Sequence, residues 1–342
     1  MKRISIIIVT LLLSVALAGC NNDSLVDYKK AVEKTEQIKT GQTSGEFSLS
    51  MVFNTEGMTA EQIKELNYLK DLRGDFNAAY DYNSGKKVFR NYLNFGGLGF
   101  DFDLFMDGEE MFLKLPVIGK YMKLEDMKSS INMDQKADGE CEFISKGTLD
   151  EISGLWIGLL KKEDVFKGKD IILTTPDGEV KTTEYTIKLS DQQIKILASD
   201  VMKILSKDEK LRKNVDEYIN NNLKQEKTTS FDELISNFRE GIKNYNVENF
   251  SYTAYVDIDG YIVNEIIEVA LSVDHPKQAS PTYINYELDI KNWDINKEQK
   301  FDFPVLTKEN TLKMDEMEET MPFMMEDLFN SDLFIKEDVG VE

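Results

Sequence analysis

Four short turn signals cut this chain where one alternating apolar pattern stops and the next begins. They are Asn83-Ser84-Gly85, Asp107-Gly108, Pro176-Asp177-Gly178 and Asp259-Gly260. A glycine behind an Asn, Asp or Ser supplies the positive φ of a tight hairpin, so the strands on either side must run antiparallel. The flanks have period two, the signature of strands with one buried face. Phe47, Leu49, Met51 and Phe53 alternate with Ser48, Ser50 and Val52. Phe76, Ala78, Tyr80 and Tyr82 follow, then Phe100, Phe102, Leu104 and Met106. Tyr185, Ile187 and Leu189 make a further strand. Phe250 to Ile258, Tyr261 to Leu271 and Ile284 to Ile290 close the series.

Between these runs the period changes to that of helices. Thr59-x-x-Gln62, Thr148-x-x-Glu151, Ser190-x-x-Gln193 and Ser230-x-x-Glu233 each precede apolar residues at helical spacing. In each, the hydroxyl can accept from the third backbone N–H while the Glu or Gln bonds back. A further helix is expected over Leu25–Ile38, and the one after Ser190 continues, with breaks, through Val215, Ile219 and Leu223. Hairpins interrupted by helices predict an α+β domain in which helices cover the apolar face of a large antiparallel sheet. No Pro/Gly linker divides the chain, so one domain over 25–310 is expected, with a helical insertion at about 124–169.

The N-terminus carries an address. Lys2 and Arg3 precede an apolar run from Ile4 to Leu17, too short to span a bilayer but fit for a secretory signal at 1–19. Leu17-Ala18-Gly19-Cys20 resembles the lipobox of bacterial lipoproteins. That resemblance implies cleavage before Cys20, a covalent diacylglycerol on its thiol, and a tether over 20–24. Two acyl chains hold a protein at a membrane. The expected location is the outer face of the cytoplasmic membrane. Basic residues are mostly lysine, the arginines being Arg3, Arg73, Arg90, Arg212 and Arg239. With many Asn and Ile, this composition resembles that of an AT-rich Gram-positive organism.

Charge narrows the partners. There are 62 acids against 41 lysines and arginines, a net charge of −21. Such a surface repels phosphate backbones, which argues against nucleic acid, and repels anionic headgroups, so the membrane contact expected is the lipid anchor.

Several segments resemble the LolA/LppX-like bacterial lipoprotein superfamily. Phe105-Met106-Asp107-Gly108-Glu109-Glu110-Met111-Phe112-Leu113-Lys114 resembles one hairpin of that group, and Tyr255 to Val263 resembles the hairpin before its last strands. Tyr286-Glu287-Leu288 through Phe301-Asp302-Phe303-Pro304 is similar to its closing strand. The resemblance implies a curved, incomplete β-barrel, a half-barrel with helices packed on its concave face. It also implies an apolar cavity, which in several members holds lipid or lipoprotein acyl chains. The candidate lining is Phe47, Leu49, Met51, Phe53, Tyr80, Phe102, Leu104, Tyr252, Ala254, Ile267 and Val269.

Other chemistries lack raw material. Phe95-Gly96-Gly97-Leu98-Gly99-Phe100 is followed by a strand, so no helix N-terminus completes a phosphate cradle. Asp257-x-Asp259-Gly260 puts Tyr255 and Ile266 where an EF-hand needs oxygen ligands, so it reads as a turn and no metal site is expected. Asp101 and Asp103 read as a solvated strand face. Cys141 and His275 carry no flanking motif, and no Gly-x-Ser-x-Gly or His-Glu-x-x-His occurs. The expectation is a non-enzymatic protein without a cofactor that binds an apolar ligand such as a lipid or acyl chain. Two alternatives stay open: a cell-envelope protein–protein interaction module with a filled core, and a hydrolase of unrecognised type. Residues 311–342 form an acidic tail with Met314, Met317, Met321, Met324 and Met325, either a solvated extension or a segment that docks on the mouth of the sheet.

Overall fold

The computed structural model describes residues 23–108, 110–116, 119–123, 144–222, 230–274, 276 and 280–312. The signal peptide 1–19, Cys20, Cys141, His275 and residues 313–342 of the tail lie outside the described residues, as does 124–143 of the expected insertion.

The alternating segments form strands. Those of the N-terminal half are β1 (Thr40–Phe53), β2 (Asp71–Asp81), β3 (Lys86–Phe95), β4 (Leu98–Asp107), β5 (Glu110–Leu115) and β6 (Lys120–Lys123). The later ones are β7 (Val165–Thr175), β8 (Gly178–Ile187), β9 (Tyr245–Asp257), β10 (Ile262–Val273), β11 (Pro281–Trp293) and the short β12 (Thr311–Leu312). All join one 12-stranded sheet in the order β12-β6-β5-β4-β3-β2-β1-β11-β10-β9-β8-β7. Every pair is antiparallel except β12 with β6. All four turn signals close hairpins. Gly85 and Gly260 sit at φ 72° and 86°, a backbone region that side chains with a Cβ avoid.

The helices are α1 (Ser24–Thr35), α2 (Ala60–Asn67), α3 (Lys146–Leu159), α4 (Asp191–Leu205), α5 (Glu209–Asn222) and α6 (Phe231–Gly241). Ser190 and Ser230 each build the expected capping box, and Thr59 exchanges the same pair of bonds with Gln62. α3 differs. Its N-cap is Ser145, whose hydroxyl accepts from Thr148 N–H, so the helix starts ahead of the Thr148 signal. Two boundaries also need correction. Residues 165–169, assigned to the insertion, open strand β7, and Thr311 and Leu312, assigned to the tail, pair with Tyr121 and Met122 of β6.

Register separates the two faces, because residues directly opposite across a ladder point the same way. Phe47 faces Leu288 on one side and Gly74 on the other; Gly74 faces Leu93, which faces Phe100. Leu288 faces Ile267, which faces Tyr252, which faces Ile187. This continuous row defines an inner face. The sheet curls around it: β7 comes back within reach of β11, although three strands separate them in the sheet. Lys297, just past β11, meets Asp177 of the β7–β8 turn at 3.4 Å.

Inside the curl, α1 lies against β7 and β10. Tyr28 and Ala31 of α1 join Val165, Tyr185, Ile187, Tyr252, Ala254, Val256 and Ile262 in the main core, with Trp156, Ile157 and Leu159 of α3 packed on it. Tyr28, Ile187 and Ala254 are 1%, 0% and 0% exposed. Burying a large apolar side chain contributes about 1.5–3 kcal/mol. A smaller core sits on the outer face, where Phe301, Phe303 and Leu306 strap Val88, Phe105 and Phe112.

Candidate functional site

The site is set by how α1 is held. Thr35 Oγ1 accepts from Ile262 N–H at 2.9 Å, and Lys34 donates to the Asp259 carbonyl, so the C-terminal end of α1 is pinned at the β9–β10 turn. At the other end Asp27 pairs with Lys167 of β7 at 3.6 Å. α3 is tied to α1 by Trp156 Nε1, which donates to the Tyr28 hydroxyl at 3.1 Å, and by Ser153, which bonds Glu36. The start of α3 is fixed by Asp208, between α4 and α5, which accepts from Ser145 N–H at 2.9 Å and Leu211 N–H at 2.9 Å.

Between α1, α3 and the inner face of β9 and β10 these ties leave a pocket of about 490 Å³. Small-molecule pockets run to about 300–1,000 Å³. Its walls are Val32, Leu149, Ile152, Trp156, Phe250, Ile262 and Ile267, with Tyr28 and Tyr252 deeper in. The rings form a connected set. Trp156 meets Tyr252 edge-on at 5.5 Å, Tyr28 meets Tyr252 at 6.1 Å, and Trp156 meets Phe250 at 6.4 Å.

Glu265 breaks the apolar lining. It points to the inner face, opposite Ala254 and Ile290, at a position where the alternation calls for a hydrophobe. The Tyr252 hydroxyl donates to its Oε1. Tyr252 also shares a hydrogen bond with Tyr28, so Trp156, Tyr28, Tyr252 and Glu265 make one polar chain along the floor. Burial raises the pKa of Glu265, against the lowering effect of the Tyr252 bond. Burial pushes Tyr28 up to about 12, and burial together with the Glu265 charge pushes Tyr252 well up. Both phenols therefore stay protonated at neutral pH and act as donors.

The eleven candidate lining residues divide between two regions of the inner face. Tyr252 and Ile267 border the pocket, while Ala254 beneath them is wholly covered by core. Phe47, Leu49, Met51, Tyr80, Phe102, Leu104 and Val269 are half-buried and share the same face, away from the α1–α3 pocket. Phe53 lies past an irregularity in the β1–β11 ladder. Rings on this face lie along the sheet. A Cβ on Gly74 would come within 2.4 Å of the Phe47 ring, and one on Gly45 within 2.3 Å of Phe76. These glycines are therefore seats for aromatic rings.

The α1–α3 lining and Glu265 were not selected from sequence. The signal for Glu265 is the single acid at an inward register position between Val263 and Ile267. Partnering of Tyr28 with Trp156 joins residues 128 apart and leaves no local pattern. Among the described residues no group of three or more His, Cys, Asp or Glu is placed to hold a metal ion. No helix among them is long and apolar enough to cross a membrane.

The chain matches no known protein family, and no curated protein matches it. Among solved structures it is similar to a beta-barrel-like protein of a domain of unknown function, DUF1849, from Brucella abortus. The two are 10% identical over 75% of this chain and 100% of that one, with a TM-score of 0.19. At that score the likeness carries no argument about function. The fold described above rests on register: a large, open, curved α+β sheet with helices on its inner face.

Proposed function

We infer that the protein is a non-enzymatic, extracytoplasmic lipoprotein that binds the apolar part of a small ligand, such as a lipid or acyl chain, inside its curved sheet. The observation that carries this reading is the pocket of about 490 Å³ between α1, α3 and β9–β10, walled by aliphatic and aromatic side chains. Burial of apolar ligand surface supplies the affinity, at about 25 cal/mol per Å² before the costs of association. Anchoring rests on the Leu17-Ala18-Gly19-Cys20 motif. The core that α1 and α3 already fill favours a second reading, an envelope interaction module whose acidic outside meets a basic partner.

A neutral, environment-sensitive dye such as N-phenyl-1-naphthylamine tests the first reading. The full chain should bind it saturably, and Ile152→Trp, which narrows the pocket, should weaken binding by about tenfold or more. Dye binding that is absent, or unchanged by Ile152→Trp, turns the weight to the interaction module. Cys20→Ala should release the protein from membranes or leave it unprocessed; a processed, membrane-bound variant contradicts the lipid anchor.

A further inference from the structure

A carboxylate at an inward position of an apolar sheet face is expensive. Withdrawing its charge from water costs several kcal/mol unless the group is paired. Tyr252 supplies a hydrogen bond to one oxygen of Glu265. A carboxylate has acceptor sites on both oxygens, about four in all. No lysine or arginine lines the pocket among the described residues. Glu265 is half-buried and borders the pocket's free space, so its remaining capacity faces whatever enters.

The surrounding rings have the same preference. Tyr28, Trp156, Phe250 and Tyr252 line this one pocket, with ring centroids 5.5 to 6.4 Å apart along the set. The face of an aromatic ring is negative and attracts cations, most strongly where water is excluded. Glu36, exposed at the end of α1, adds a second negative charge to the rim. Fatty-acid carboxylates and free phosphates would meet repulsion from Glu265 and Glu36.

We propose that the pocket selects ligands bearing an organic ammonium group, the cation seated between Glu265 and these rings and the apolar remainder lying against α3 and Ile267. This rests on the apolar-pocket reading and adds the charge of the ligand to it. A purely structural Glu265, acting as the acceptor for Tyr252, would show no preference for charge in the ligand.

Calorimetric titration of the full chain with decyltrimethylammonium, decanoate and 1-decanol, below micelle-forming concentrations, separates these cases. The ammonium probe should bind once per chain, about tenfold or more tighter than either other probe. Glu265→Gln should remove that advantage while leaving 1-decanol within about twofold. Phe250→Leu keeps an apolar wall but loses a ring, and should weaken the ammonium probe about threefold. Glu46→Gln on the outer face removes the same charge and should leave the binding of all three probes unchanged. Equal binding of all three probes, an unaffected Glu265→Gln, or equal loss in Glu265→Gln and Glu46→Gln overturns the ammonium inference and leaves the apolar pocket standing. Failure of all three probes to bind saturably overturns both.

Discussion

Asp208 is 4% exposed, yet it is ionised because three segments converge on it. Burial alone would raise its pKa, but bonds from Thr148, Leu211 N–H and Ser145 outweigh burial and bring it down from 3.8 to about 2. A folded pKa below the unfolded one means stability present above about pH 4 and lost as pH falls through about 2. The shift corresponds to about 2 kcal/mol. Asp208→Asn should cost about that much at neutral pH and flatten the acid limb of the stability curve between those values. Urea melts at neutral pH and near pH 2 check this; equal loss of the variant's stability at both would place the effect in packing. Asp208 also explains the shifted start of α3. Thr148 has the right hydroxyl for a cap, but it is 8% exposed and turned to Asp208, and Ser145, whose N–H Asp208 holds, takes the cap. Such choices depend on a residue 63 positions away, and the local sequence does not reveal them.

Among the elements, the hairpins and the Ser190 and Ser230 helix starts were legible because their cause is local: a glycine's φ, a hydroxyl three residues from a Gln or Glu. Ser190→Ala removes the acceptor for Gln193 N–H and should cost about 1 kcal/mol, read as a lower denaturation midpoint with an unchanged urea slope. A neutral substitution would mean that Gln193, which also bonds Asp164 at 3.0 Å, holds α4 without the cap. β3 was signalled by the turn before it, while its own residues alternate weakly. Its inner positions carry Lys87, Phe89, Asn91 and Leu93, and its outer ones include Tyr92 and Val88, the latter packed under the strap from Phe301 to Leu306, so apolar and polar residues fall on both faces. β7 was hidden by Lys167, Gly168 and Lys169, which are exposed on an edge strand where charge is favoured. In the candidate site, the inner face was legible from alternation, whereas the pocket was not, since it depends on where α1 and α3 dock.

Over the whole molecule the net charge is −21, and part of it stands in like-charged pairs across the sheet. Glu46 stands opposite Asp75 on one side and Asp289 on the other, and Glu268 stands opposite Glu287. Like charges directly opposite across a ladder cost about 0.2–1 kcal/mol each. The screening length is about 10 Å at 0.1 M salt and about 3 Å at 1 M, so molar salt is what weakens repulsion between such close neighbours. The melting temperature should therefore rise as sodium chloride is added, and Glu46→Gln should raise it at low salt and less so at high salt. A flat response in thermal melts would show that Arg73, set among these acids on the outer face, already balances them.

The same sheet order has a consequence for synthesis. β1 and β11 are neighbours at the centre, with Gln42 opposite Trp293, so the first strand made waits for the last long one. While the nascent chain grows, β1 to β6 can zip as successive hairpins and β7 to β10 can begin their own, but each half keeps an open edge where the other belongs. Contacts this distant in sequence form slowly. An unpaired edge invites the wrong strand. A ribosome that stalls after residue 273 releases two half-sheets whose bare edges, on β1 and β10, both lack β11, so these truncated chains should aggregate through open strand edges where the full chain does not.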